Sequence, residues 1–293
     1  MFQIKSTDNK ILFQWEKSEL FPDFRSVLKE TMAYQNDFKE LYIDSENLDS
    51  FTWNEINLNY IQFKNCSMVG SQFINCHGVQ LSFENCDITS LKIKKSKIKH
   101  LSIHNCKASK LSFRNSTFSN GSIDSCECNH STFYQCDLSV FRFYSCNLRD
   151  SFFHKCNLDE SHFTTNNSDD ENMQNLYFVE CSVKDCEMLY VENLSKLYFW
   201  ETNIKDITFM NEEKFIEVIN PFSNIIYAIN SDVVWWKPYS WAEKEKGIFR
   251  GSLKQFKDEV YNNFPTTDLY PDMNDYEILD ELIKVITYLE LWQ

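Results

Sequence analysis

Cysteine and histidine are the residue types in this chain that could support metal binding or nucleophilic catalysis. The 293-residue sequence contains eleven cysteines and six histidines. A thiolate is both a nucleophile and a zinc ligand, and zinc sites use paired thiols at short, defined spacings. Cys126 and Cys128 come closest to such a pair, but no second pair follows them at the spacing of a zinc site. The cysteine pattern therefore predicts no metal centre.

Other catalytic patterns are missing from the sequence. Glycine occurs only five times, so the chain has no glycine-rich phosphate loop, and it contains no G-x-S-x-G motif. The acidic pairs at 169–170, 212–213 and 258–259 have no convergent partner visible in the sequence. We predict no catalytic residue, no metal and no cofactor, and we expect that the protein is not an enzyme. An unfamiliar active site within the C-terminal region is the alternative.

The cysteines mark a repeat instead. Between Cys136 and Leu158, cysteine returns every ten residues, and leucine or phenylalanine every five. A helix repeats its apolar face about every 3.6 residues and a strand every two, so a period of five indicates one short strand plus one turn. The first and third residues of each unit are expected to point inward and the second outward. Repetition of this unit winds the chain into a coil walled by parallel sheets.

The period extends over more than half of the chain. Large apolar residues keep their register from Phe38 to Phe209, with Gly78 and Ser168 as interruptions and one inserted residue before Leu194. A register of this length does not arise by chance. The internal repeat therefore takes precedence over other local assignments of secondary structure.

Two units carry a resemblance to a known family. Cys-Asn-Leu-Arg-Asp at 146–150 and Cys-Asn-Leu-Asp-Glu at 156–160 resemble the A-(D/N)-L-x-x repeats of pentapeptide-repeat proteins. Cysteine or serine replaces the usual alanine here, and phenylalanine or isoleucine often replaces leucine. The resemblance covers roughly residues 36 to 209. It implies an all-β solenoid, namely a right-handed quadrilateral β-helix.

Stacked positions follow if each coil takes four units, because residues twenty apart then lie above one another. One interior ladder consists of Cys66, Cys86, Cys106, Cys126 and Cys146, and the opposite wall carries Cys76, Ser96, Ser116, Cys136 and Cys156. We expect these thiols to be free and buried, which fits a reducing compartment. None of the histidines, at 77, 100, 104, 130, 154 and 162, stacks on another.

The ends of the chain depart from the repeat. We expect residues 1–35 to form a hairpin and helix cap, residues 36–210 the β-helix, and residues 211–293 an acidic, mainly α-helical domain. Caps cover coil ends that would otherwise pair with another chain. Neither a membrane-spanning apolar run nor the apolar core of a secretion signal is present, so we expect a cytoplasmic protein without membrane attachment.

Charge is unevenly distributed along the chain. The best-known members of the family that the repeat resembles are acidic rods that mimic duplex DNA and bind DNA gyrase, and the formal net charge of −14 invites the same expectation. However, residues 51–170 carry 12 basic and 11 acidic side chains, whereas residues 171–293 carry 11 and 22. A DNA mimic needs negative charge spaced along the rod, as phosphates are. DNA mimicry is therefore only weakly indicated.

Instead, the rod is expected to present cations on two adjacent walls, and we predict that this surface contains Lys92, Lys94, Lys95, Lys97, Lys99 and Arg114. The surface binds an acidic partner, the acidic C-terminal domain or nucleic acid, or else it is a solvated face that discourages aggregation. Direct nucleic-acid binding is disfavoured in so acidic a molecule. Trp235, Trp236 and Trp241 either form a second contact surface, since tryptophan is enriched at interfaces, or pack the C-terminal domain onto the last coil.

These features indicate a protein partner and leave three functions open. The first is a rigid scaffold that inhibits or protects a target, which the resemblance suggests is a topoisomerase, another DNA-acting enzyme or a phage-defence factor. The second is an immunity protein that neutralises a cognate toxin through the acidic C-terminal domain. The third is an enzyme or regulatory module in that domain. The oligomeric state is open, and a dimer is one option because family members often dimerise through coil ends.

Overall fold

A computed structural model describes the cap, most of the repeat region and parts of the C-terminal region. The described residues are 2–6, 10–16, 18–34, 40–164, 173–189, 197–200, 202, 207–209, 215–219, 225–229, 232–236, 248–263, 282–287 and 289–290.

An N-terminal hairpin extends the first sheet of the molecule. Strands β1 (Phe2–Ser6) and β2 (Ile11–Trp15) pair antiparallel, and β1 also pairs antiparallel with β3 (Leu41–Asp44). Residues 7–9, between these two strands, lie outside the described residues. The hairpin therefore occupies the sheet edge that the first coil would otherwise expose.

Helix α1 (Phe24–Tyr34) covers the interior of the first coil. Asp23 is its N-cap, because the backbone N–H of Ser26 donates to Asp23 Oδ1 at 2.8 Å. Phe24 and Leu28 are buried in the same apolar cluster as the solenoid core. The helix thus begins one residue after its cap and closes the end of the rod with its apolar face.

The five-residue unit has the predicted geometry. Cys136 and Leu138 are buried and Asp137 between them is not, and this alternation recurs through the described coils. The fifth residue of every described unit from Glu40 to Asp185 has a left-handed backbone, with φ of 50–62° at the non-glycine positions. Asparagine often occupies this place because it tolerates that conformation. The left-handed residue turns the chain through each corner.

Within the described residues, β3 and eighteen further short strands form the walls. In chain order after β3 they are β4 (Thr52–Asn54), β5 (Gln62–Lys64), β6 (Gln72–Ile74), β7 (His77–Val79), β8 (Ser82–Glu84), β9 (Lys92–Lys94), β10 (Lys97–Lys99), β11 (Ser102–His104), β12 (Ser112–Arg114), β13 (Ser122–Asp124), β14 (Thr132–Tyr134), β15 (Arg142–Tyr144), β16 (Phe152–His154), β17 (His162–Thr164), β18 (Leu176–Val179), β19 (Glu187–Leu189), β20 (Leu197–Trp200) and β21 (Thr208–Phe209).

The strands stack in parallel with partners twenty residues apart, as in the pair Ile103 and Ile123. The first wall is the sheet β3-β5-β8-β11-β13-β15-β17-β19-β21, and the third is the eight-stranded sheet β4-β6-β9-β12-β14-β16-β18-β20. The second and fourth walls are held by single parallel bridges and by the pair β7 and β10. Phe153 pairs with Phe178, so one coil holds an extra unit. These parallel walls confirm the predicted all-β solenoid.

Aromatic rings and thiols fill the interior. Rings from successive coils stack face to face, for example Phe133 on Phe153 with centroids 4.5 Å apart and Phe143 on Phe163 at 4.7 Å. The cysteine ladder is also present, because the N–H of Cys66 donates to the Sγ of Cys86 at 3.4 Å, and the contact recurs up the wall. On the opposite wall serine hydroxyls accept the same bonds. The ladders therefore satisfy buried backbone N–H groups.

Val140 is the one β-branched side chain among the corner residues that the structure describes. It has φ of 57°, a conformation in which such a side chain is strained. Asn120 and Glu160 occupy the same corner in the neighbouring coils. We expect Val140→Asn to raise the free energy of unfolding by about 1 kcal/mol, measured by denaturant titration. The reciprocal control Asn120→Val is expected to lower it by a similar amount, and a stabilised control would contradict the argument.

The C-terminal region contains a sheet that the sequence analysis missed. Strands β22 (Phe215–Ile219), β23 (Ile225–Ile229), β24 (Asp232–Trp236) and β25 (Ile248–Ser252) form a four-stranded antiparallel sheet. Their β-branched and aromatic residues favour strands, so the prediction of a mainly helical domain is wrong for this segment. The missed signal was the change from a period of five to uninterrupted apolar runs.

Helical structure follows the sheet. Helix α2 (Leu253–Asn263) begins after Ser252, whose hydroxyl accepts from the N–H of Gln255 at 3.3 Å while Gln255 Oε1 accepts from the N–H of Ser252 at 2.8 Å. This reciprocal pair is a capping box. Residues 282–287 and 289–290 are also helical. None of the helices in the described part of the chain could span a membrane.

Candidate binding surface

The predicted cations lie on two adjacent walls of one coil. Strands β9 and β10 each read Lys-Ile-Lys, and in both the isoleucine is buried while the lysines face outward. Lys95 lies near the corner between the two strands, with φ of 51°. Arg114 lies directly beside Lys94 on the next strand of the third wall. We call this surface the cationic band, and it consists of Lys92, Lys94, Lys95, Lys97, Lys99 and Arg114.

Among the residues that the structure describes, no carboxylate forms an ion pair with the cationic band. Residues 88–123 contain eight lysines and arginines and no aspartate or glutamate. Within the described residues none of the six cations forms an ion pair, whereas elsewhere Lys64 Nζ lies 2.9 Å from Glu84 Oε1 and Lys155 Nζ 3.2 Å from Glu180 Oε2. Like charges side by side on neighbouring strands, as at Lys94 and Arg114, are destabilising. The band thus concentrates positive charge at a cost that a bound anionic group would relieve.

An aromatic surface that the sequence analysis missed adjoins the band. The guanidinium carbon of Arg114 lies 5.9 Å from the ring centroid of Tyr134, which is within cation–π range. Further along the third wall, outward rings form a column in which Phe152 contacts Tyr177 at 5.7 Å and Tyr177 stacks on Tyr198 at 4.7 Å. We call Tyr134, Phe152, Tyr177 and Tyr198 the aromatic strip. Its signal was aromatic residues at outward repeat positions, which are usually polar.

The tryptophans fall in the C-terminal sheet or beyond it. Trp235 and Trp236 lie on β24, which pairs with β23 and β25. Trp241 lies outside the described residues. Their use as a contact surface therefore stays a prediction.

Four of the six histidines each contact a carboxylate of the next coil. The four pairs are His104 with Asp124 at 3.3 Å, His130 with Asp150 at 3.7 Å, His154 with Glu180 at 3.1 Å and His162 with Glu187 at 2.7 Å. His154, and secondarily Lys155, lower the pKa of the Glu180 carboxyl below its usual value. Where the structure describes the chain, no three histidine, cysteine, aspartate or glutamate side chains could share a metal ion. These pairs join coils and do not form a reactive cluster.

All eleven cysteines are buried free thiols. Burial raises the pKa of the Cys76 thiol and raises that of Cys186 to about 12. Because all eleven thiols are buried and a reagent in solution cannot reach them, we expect a thiol-specific chromogenic reagent to modify none of them in the native protein. All should react once denaturant unfolds the chain. Rapid modification of the native protein would show that the coils open.

Comparison with known proteins identifies the repeat. Residues 126–164 match the family model described as pentapeptide repeats, in 8 copies. No curated protein matches the chain. Among solved structures, full-length QnrB1, a plasmid-mediated fluoroquinolone resistance protein, aligns with 60% of this chain and 94% of its own at 10% identity and a TM-score of 0.29. HetL of the cyanobacterium Nostoc, involved in heterocyst differentiation regulation, aligns with 62% and 92% at 10% identity and a TM-score of 0.19.

Proposed function

We propose that the molecule is a non-enzymatic scaffold that binds a protein partner. Its residues 126–164 match the repeats of the pentapeptide family. The partner is inhibited or protected by the contact. The matching family model is that of a structural repeat and indicates no catalytic family. A topoisomerase, another DNA-acting enzyme or a phage-defence factor is the target class that the resemblance suggests.

The observation that carries this proposal is the unpaired cationic band. Its six cations lie on two adjoining walls of a rod whose coils are locked together by backbone hydrogen bonds every twenty residues. A rigid surface loses little conformational entropy on binding, and clustered unpaired charge accelerates association with an oppositely charged partner. The band is therefore suited to an acidic patch on a protein.

Capture from a bacterial lysate tests the band with a charge-matched control. We expect Lys92→Ser, Lys97→Thr and Lys99→Ser together to lower partner affinity at least about tenfold, a loss of about 1.4 kcal/mol. Each new residue is the one found at that place in the next coil, at Ser112, Thr117 and Ser119, so the fold should tolerate it.

The control variant removes three cations from other surfaces, through Lys107→Ser, Lys110→Ser and Arg142→Ser. Both variants change the formal net charge from −14 to −17. We expect the control variant to capture the partner as the wild-type protein does. The fraction of partner captured should fall as the ionic strength rises. Equal loss in the two variants would show that overall charge, and not the band, is responsible. Equal retention would exclude the band as the contact surface.

A further inference from the structure

We infer that the third wall is a two-part docking face for an extended protein segment that has carboxylates at one end and apolar side chains at the other. The inference rests on the proposed function and specifies the chemistry of the partner. The carboxylates contact the cationic band, and the apolar side chains contact the aromatic strip. The two surfaces meet at Arg114 and Tyr134, so one ligand can bridge them.

The geometry of the wall sets the size of the ligand. Cations occupy β9 and β12, and rings occupy β14, β16, β18 and β20, which follow them in one sheet. At about 4.8 Å between strands, the distance from Lys92 and Lys94 to Tyr177, the last ring of the strip that is not buried, is on the order of 19 Å. An extended segment of about six residues spans that length.

The five-residue repeat itself does not require the outward rings. Ser112 and Thr132 occupy the same outward column as Phe152, so a small polar residue satisfies the sheet at that position. Phe152 and Tyr134 are partly exposed, and both rings contact the ring of His154 between them. Val179, which lies beside His154 on the next strand, is a further partly exposed apolar side chain. A surface patch rich in aromatic and aliphatic side chains marks an interaction site. Tyr198 is only 9% exposed, so the strip is closed at its far end and open towards the band.

The cations and most of the aromatic rings lie on different strands of the third wall, and this separation favours a protein segment over single-stranded nucleic acid. Nucleic acid repeats a phosphate and a base in every nucleotide, so its sites place cations beside the stacking rings throughout. Here the described outward positions of β16, β18 and β20 carry no lysine or arginine. The net charge of −14 also opposes a long polyanion, whereas a short acidic segment meets only the band.

The test uses fluorescein-labelled peptides of about six residues, the length that spans the exposed part of the wall. The block peptide has a glutamate half and a leucine and valine half, and its isomer alternates the same residues. An all-glutamate peptide and a thymidine oligonucleotide of the same length are the further probes. In anisotropy titrations at low ionic strength, we expect the block peptide to bind about tenfold more tightly than its isomer or the all-glutamate peptide.

Two variants separate the parts of the face. Phe152→Thr with Tyr177→Ser is expected to reduce affinity for the block peptide to that of the all-glutamate peptide. The control Tyr60→Asn with Tyr144→Thr removes two exposed rings from other surfaces and should leave the affinity unchanged.

Each contrary outcome identifies what fails. If the ring variant binds the block peptide as wild type does, while Lys92→Ser, Lys97→Thr and Lys99→Ser abolish binding, the strip is excluded and the proposed function stands. If no peptide binds, the docking face is excluded, and partner capture then decides the proposed function independently. Tighter binding of the oligonucleotide than of the block peptide would overturn the inference in favour of single-stranded nucleic acid.

Discussion

Phe153→Ala is expected to lower the free energy of unfolding by about 4 kcal/mol, because it removes the central ring of the interior stack. Phe153 is fully buried, and its ring stacks on Phe133 at 4.5 Å and on Phe178 at 5.2 Å. It also makes edge-to-face contacts with the rings of Phe143 and Phe163, with centroids 5.5 Å and 5.7 Å away. Truncation to alanine leaves a cavity that the rigid coils on both sides cannot fill. The loss of unfolding free energy therefore includes a full cavity cost in addition to the lost burial of the ring.

The preceding residue supplies a matched control. Phe152 lies on the same strand but points outward and is only partly buried. We expect Phe152→Ala to cost about 1 kcal/mol, since it removes partly exposed surface and creates no cavity. Urea titration followed by circular dichroism measures both variants. Equal destabilisation by the two substitutions would mean that the interior stack contributes no more than the surface does.

The period of five predicts the solenoid because the inward, outward and corner positions of the unit each have one structural role. Inward residues recur twice per unit, and the corner residue must adopt a left-handed backbone. Together these demands specify both the wall and the turn, and the four units per coil that the family resemblance implies then place Cys66 and Cys86 in one ladder. The cationic band followed in the same way, because outward positions are fixed once the inward ones are known.

Features that the period does not constrain escaped the sequence analysis. Outward positions accept any residue that tolerates water, so the aromatic strip at Phe152 and Tyr177 left the repeat unchanged. Helix α2 has a local signal, because Ser252 and Gln255 form a capping box at its start. The β-branched and aromatic residues of β22 to β25 favour strands, but the pairing of these strands into one sheet depends on contacts between separate segments, which a local pattern does not specify.

Gly121→Ala is expected to lower the free energy of unfolding by about 3 kcal/mol, because the added methyl group has no space. A Cβ atom on Gly121 would lie 2.4 Å from Cε2 of Phe141 and 2.9 Å from the carbonyl oxygen of Leu101. Phe141 occupies the same inward position one coil later, and its ring fills the space that the glycine leaves. The ring is held against Phe143 at 5.0 Å, so it cannot move aside freely.

A second substitution tests whether the ring is the cause. Gly121→Ala combined with Phe141→Leu should be less destabilised than the sum of the two single variants by at least about 1 kcal/mol, because the smaller side chain relieves the contact. The control Gly70→Ala adds a methyl group 3.7 Å from the nearest atom, Ser50 Oγ, at a corner with φ of 70°. It should cost only about 1 kcal/mol, the strain of a left-handed alanine. Additive effects in the double variant would contradict the packing argument and leave the backbone contact with Leu101 as the source of the cost.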